Sequence, residues 1–121
     1  MKFIIGRQEL SEIVSRTQNI IVQKMPLPIL SNFLIEAKDN RVIITATDLT
    51  IGISVQHPAK VIEEGATTIP AKRFAALVRE LTSSHVEVSS DEKETIHIHA
   101  EASNFKVPGL AKGDYPALPE T

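Results

Sequence analysis

The sequence predicts an α+β domain with a pseudo-two-fold β-α-β-β-β repeat, its two helices packed on antiparallel sheet. Three observations lead there. First, "FIIGRQELSEIV" (residues 3–14) and "TTIPAKRFAALV" (residues 67–78) each pass from a short strand-like run straight into a helical pattern. Second, a shift of 64 residues aligns Ile5 with Ile69, Gly6 with Pro70, Leu10 with Phe74, Ile13 with Leu77 and Val14 with Val78. Third, each helical segment is followed by a strand, a charged turn and further strand. Neither half can bury its helix stripe and its strands alone, so the halves are expected to share one core, with the helices side by side on one face.

Each element has its own justification. Residues 2–5 form a short apolar strand. A helix follows over roughly 7–20, with Leu10, Ile13, Val14, Thr17 and Ile21 on one face. In "KMPLPIL" the prolines at 26 and 28 remove donors and push their predecessors to extended geometry, giving a rigid connector. "NFLIEA" and "RVIITATD" flank "KDN", a hairpin signature. "LTIGISVQH" alternates Ile51, Ile53 and Val55 on one face of a third strand, and "PAKVIEEG" reads as an irregular or edge piece. The second half opens at Thr67 with a strand, then a helix over 71–81 carrying Phe74, Leu77, Val78 and Leu81 on its stripe. "TSSH" ends that helix; "VEVSS", the turn "DEKE", "TIHIHA" and "NFKV" follow as three more short strands. The Pro-rich, polar ending over 109–121 reads as a tail or linker.

The chain has 121 residues, 42% of them apolar, which suits one domain with an aliphatic core. There is no cysteine, so disulfides and thiolate metal sites are excluded. No apolar run approaches the ~20 residues of a membrane span, and "MKFIIG" is too short for a signal peptide; a cytoplasmic protein is expected. The net charge of −2 does not by itself suggest a nucleic-acid partner. Its distribution does. Residues 1–30 hold four basic and two acidic groups and residues 72–81 three and one, while acidic groups dominate the rest. Both exposed helix faces are expected to point the same way, with Arg16, Lys72, Arg73 and Arg79 on them and Lys24 just past the first helix. Such a surface, with no aromatic for base stacking, suits phosphate contact without sequence reading.

Sharper chemistry finds little support. His97 and His99 share a strand face and His85 is a conceivable third ligand, yet solvated strand histidines are the better reading. Ser, His and Asp occur without a nucleophile elbow. Neither G-x-x-x-x-G-K-[ST] nor G-x-G-x-x-G is present, so nucleotide binding lacks a motif, and no cofactor is expected.

The stretches "LPILSNFLIEA", "ITATDLTIGI" and "GATTIPAKRFAALVREL", with "MKFIIGRQEL" and "FKVPGLAKGDYPALP" at the ends, resemble the N-terminal domain of the bacterial sliding clamp, the beta subunit of DNA polymerase III. The resemblance spans essentially the whole chain. It implies the DNA clamp fold, residues 1–121 being one domain, the first of three, with 109–121 leading toward the second. It implies that two chains close head to tail into a homodimer ring with helices lining the hole, that the ring encircles duplex DNA without catalysis, and that DNA polymerase III and the clamp loader bind through the other domains. Lys24 falls where the family has a basic site before LPIL, with Lys in place of the familiar Arg, and Arg73 matches a second DNA-contacting position. Arg16, Lys72 and Arg79 join them from helix faces alone, interleaved with neutral Gln8, Ser15, Gln18 and Asn19 that would let the ring slide. The last strand is expected to pair with the partner chain, with Phe105, Val107 and Phe74 as apolar interface candidates; Ala102 and Asn104 stand where some members carry basic residues. A protein-interaction module of the same fold, recruiting a partner by strand addition, is the alternative.

Overall fold

The computed structural model describes residues 1–17, 28–47, 52–101, 103–110, 113 and 115. Among these, nine strands and two helices run in the order β1 (Lys2–Gly6), α1 (Arg7–Thr17), β2 (Asn32–Lys38), β3 (Arg41–Thr47), β4 (Gly52–Pro58), β5 (Lys60–Glu63), β6 (Gly65–Pro70), α2 (Ala71–Glu80), β7 (His85–Ser90), β8 (Thr95–Ala100) and β9 (Ser103–Pro108). A 3-10 turn, Pro28–Ser31, leads into β2. Gln18, Asn19, Ile21 and Lys24 lie outside the described residues, as do Ile51 and Ala102.

The expected repeat is present as β1-α1-β2-β3-β4 and β6-α2-β7-β8-β9. The strands divide into two antiparallel sheets, and the halves exchange their first strands. One sheet has the order β5-β1-β7-β8-β9, the other β4-β3-β2-β6. Thus β1 pairs with β7, Phe3 opposite Val88, and β6 pairs with β2, Ile69 opposite Phe33. The helices pack on each other, α1 along β3 and β4 and α2 along β2 and β6. They run antiparallel, since the start of α1 is tied to the end of α2 by Arg7 N donating to Ser84 O at 3.0 Å and Arg7 Nε to Ser83 O at 3.0 Å.

One core spans all of these elements. Leu10, Ile13 and Val14 of α1 and Phe74, Val78 and Leu81 in and just past α2 are buried, as the stripes predict, whereas Leu77 is only half-buried and Ala75, off the predicted stripe, is buried. They meet Phe3, Phe33, Ile35, Ile44, Val88, Ile96 and Ile98 from the sheets in a single cluster. Each fully buried Leu, Ile or Phe contributes about 1.5–3 kcal/mol of transfer free energy. Thr17, at the end of the described part of α1, is buried with its hydroxyl donated to Ile13 O at 2.9 Å.

The repeat extends into the turns. Asp39 (φ 52°) and Asn40 (φ 55°) both take the left-handed conformation of a two-residue hairpin loop, which these short polar side chains tolerate. Asn40 O then accepts from Ala59 N at 3.1 Å, just past β4. In the second half Glu94 (φ 62°) ends the equivalent turn and its O accepts from Gly109 N at 2.9 Å, just past β9. The chain then returns to the first strand of its own half in both cases: β5 pairs with β1, and Leu110 forms an isolated bridge with Thr68 of β6. "PAK" at 58–60 and "PGL" at 108–110 are therefore counterparts.

This corrects the reading of residues 109–121 as a loose tail, at least at Gly109, Leu110 and Tyr115. Thr68 Oγ1 donates to Leu110 O at 2.8 Å and accepts from Asn32 Nδ2 at 3.1 Å, and Thr67 Oγ1 donates to Glu94 Oε2 at 2.7 Å. A Cβ on residue 109 would stand 2.3 Å from Thr68 O and 2.8 Å from Glu94 O, so this close crossing requires glycine. Tyr115 is buried over β3, its hydroxyl donated to Thr45 O at 3.3 Å. Burial pushes its phenol up to about 12, against a backbone hydrogen bond at Thr47.

Candidate nucleic-acid interface

Four of the five basic candidates, Arg16, Lys72, Arg73 and Arg79, are exposed on the two helices; Lys24 lies outside the described residues. On α2, Lys72, Arg73 and Arg79 are exposed, and among the described residues none of the three forms an ion pair. Arg79 Nε donates to Ala75 O at 3.3 Å, leaving the rest of its guanidinium free to turn outward. Ser11, Ser15, Ala75 and Arg79 line a shallow cleft of about 110 Å³ between the helices.

Local charge opposes the fold at the start of α2. The N-cap is Pro70, which offers no side-chain acceptor, and no acidic residue occupies the first turn. Lys72 and Arg73 stand in that turn, beside the positive end of the helix dipole, where cations cost about 0.3–1 kcal/mol each. The equivalent turn of α1 carries Glu9. Its carboxylate folds back over Gly6, so that a Cβ there would come within 1.9 Å of Glu9 Oε2. The start of α1 is therefore closed by its own acid, and the start of α2 is open and cationic. On α1 the exposed Arg16 is paired with Glu12, Nη2 to Oε1 at 2.9 Å.

The interface candidates are corrected in part. Phe74 and Val107 are fully buried in the domain's own core and have no surface to offer a second chain. Their strand and helix parity turns them inward: Val107 sits opposite Ile96 on the core face of β8. Phe105 is half-buried and packed against the core on β9, the edge strand of its sheet among the described residues. The histidines take separate partners. His97 Nε2 meets Asp91 Oδ2 at 3.1 Å, His99 bonds Asn104, and His85 meets Ser84 Oγ at 3.1 Å. Among the described residues no group of three or more His, Cys, Asp or Glu is placed to hold a metal. Asp91 is held below the usual carboxylate range, first by the His97 hydrogen bond and then by the Thr95 amide. No helix among the described residues is long and apolar enough to cross a membrane.

The family profile described as DNA polymerase III beta subunit, N-terminal domain, matches residues 1–119. The chain belongs to that family. The beta sliding clamp of Chlamydia muridarum is 40% identical over 120 residues, covering 99% of this chain and 33% of that protein. That of Staphylococcus epidermidis is 31% identical over 128 residues, covering 99% and 34%. Among solved structures, a DNA polymerase sliding clamp from Bacillus subtilis superposes with a TM-score of 0.96 at 26% identity, over 99% of this chain and 34% of that one. One from Caulobacter crescentus gives 0.93 at 31% identity, over 99% and 33%. The chain thus spans about a third of the length of the curated relatives it matches. As a beta-subunit N-terminal domain, its exchanged sheets and paired helices are those of the solved clamps.

Sequence reasoning did not single out Glu12, Glu94 or Thr68. For Glu94 and Thr68 the available signal was the Pro-x step at 58 and at 108, which marks two equivalent strand ends.

Proposed function

We propose that this chain supplies one domain of a ring-shaped processivity clamp that encircles duplex DNA and holds a replicative polymerase on its template. The observation that carries this reading is the exposed cationic set on α2, Lys72, Arg73 and Arg79, which forms no ion pair among the described residues, on a helix packed against α1. Two of these cations oppose the dipole of their own helix, an arrangement that favours an incoming anion over the isolated fold. With no aromatic among them, they suit backbone phosphates and not bases. Few contacts of this kind give weak, salt-sensitive attraction, which permits sliding. Lys24, which follows the first helix in the sequence, would add a further cation.

The ring would close through sheet edges, with the outer edge of β9 meeting the partner chain and Phe105 as its apolar contact. Polymerase and clamp loader would bind through parts of the full-length protein beyond this domain. The role is non-catalytic, needs no cofactor and belongs in the bacterial cytoplasm.

The test uses the full-length protein. It is loaded on a nicked circular plasmid by its loader with ATP, and the DNA is then linearised. Retention on circles with loss from linear ends is the expected result. Equal retention on both forms would replace topological linkage with ordinary contact. Lys24→Glu with Arg73→Glu should abolish loading; intact loading would leave only an interaction module.

A further inference from the structure

The two helices present their cations differently. On α2, Lys72, Arg73 and Arg79 have no acidic partner among the described residues. On α1, Arg16 is bound to Glu12 at 2.9 Å, with both side chains more than 60% exposed. The pair therefore stands in solvent, off the buried Leu10, Ile13, Val14 and Thr17 stripe, on a helix that the proposed function turns toward DNA. A shift of 64 residues places Ala76 opposite Glu12 and Glu80 opposite Arg16, so the pairing has no counterpart on α2. Neither carboxylate nor guanidinium is needed by the core, which α1 reaches through Leu10, Ile13 and Val14.

We infer that Glu12 sets the friction between the ring and DNA by neutralising Arg16. This rests on the proposed clamp function. An exposed i,i+4 pair is weak, about 0.3–0.5 kcal/mol, so it does little for the fold. Beside a polyanion it does more. When a phosphate approaches Arg16, the Glu12 carboxylate lies within the same few ångströms and repels it. The pair then presents a small dipole in place of a charge, and no condensed counterion is released there. The two helices divide the work: α2 attracts the backbone and α1 passes it with little hold. Glu12→Gln keeps the shape and hydrogen-bonding reach of the side chain and removes only the charge. Arg16 is then a free cation.

The experiment follows one-dimensional diffusion of fluorescent full-length rings loaded on DNA, at low and moderate salt. Glu12→Gln should slow diffusion about twofold, the range of one exposed i,i+4 ion pair, with the larger effect at low salt. In an Arg16→Gln background the Glu12→Gln change should add nothing. Glu80→Gln alters net charge equally but frees no paired cation, and should slow the ring less. Three results would overturn the inference: wild-type diffusion of Glu12→Gln, slowing that persists without Arg16, or equal slowing by Glu80→Gln. If wild-type rings are not retained on circular DNA, the clamp reading fails, and this inference with it. Retention with unchanged Glu12→Gln diffusion sinks the inference alone.

Discussion

α1 and α2 are the same helix in packing and different helices in charge. Leu10 and Phe74, Val14 and Val78 occupy equivalent buried positions. Outside the stripe, Gln8 corresponds to Lys72, Glu9 to Arg73 and Ser15 to Arg79. Burial fixes the inner residue types because a core admits only what fills it. The outer positions are unconstrained by packing, so their charges record what the face meets. α1 places the acidic Glu9 in its own first turn. α2 leaves its first turn uncapped and adds cations to it.

The strongest way to break the comparison is through the core. Phe74→Ala should cost about 3–5 kcal/mol and Leu10→Ala about 2–5 kcal/mol, read from denaturant midpoints. A small effect at one position alone would mean that the repeat is not structurally equivalent there. Gly109→Ala comes next. The added methyl collides with two backbone oxygens, so a loss of about 1–3 kcal/mol is expected. It should also free Tyr115. That phenol is raised to about 12 by burial, so the neutral form favours the folded state. Its contribution is complete below pH 10 and is lost as pH rises from 10 toward 12. Phenolate absorbance should show the midpoint falling toward 10 in Gly109→Ala; an unchanged midpoint would uncouple Tyr115 from the Gly109 crossing.

Exchanging charges sharpens the contrast more finely. The double change Glu9→Arg with Arg73→Glu conserves net charge. It should stabilise α2 by about 0.3–1 kcal/mol while lowering the salt slope of DNA binding in the full-length ring by about one unit. Unaltered DNA binding would show that only total charge matters. The smallest effect is expected at the β7–β8 turn. Asp91 has its carboxyl lowered by His97 and the Thr95 amide, so its contribution is present above the ordinary carboxylate pKa and lost as pH falls through the lowered one. Asp91→Asn should raise amide exchange at Lys93 and Thr95 and flatten the acid limb of stability; exchange like wild type would deny the carboxylate a role in the turn.

Most of the fold was legible because its signals are local. Helix stripes, the "KDN" and "DEKE" turns and the strand alternation each lie within a dozen residues. The exchange of β1 and β6 between sheets was not legible, since pairing partners far apart in sequence leave no periodic trace. The tail misled for a related reason: Leu110 and Tyr115 are held by Thr68 and Thr45, residues that look like ordinary strand threonines. At the candidate site, exposure of Lys72, Arg73 and Arg79 followed from helical spacing. The burial of Phe74 and Val107 also follows from spacing, and only the family resemblance points to them as interface residues. The Glu12–Arg16 pair was visible as an i,i+4 spacing, and its meaning came only with the contrast to α2.

The exchanged first strands have a consequence for how this domain can be divided. Each half lends the other a strand that its own hairpins lack, so neither is a unit. A break in the chain between β5 and β6 would separate two segments that remain interlocked through the β1–β7 and β2–β6 ladders. The nicked domain would behave as a two-piece complex. Either piece alone would expose a vacant strand slot along β7 or β2, seeking a mate.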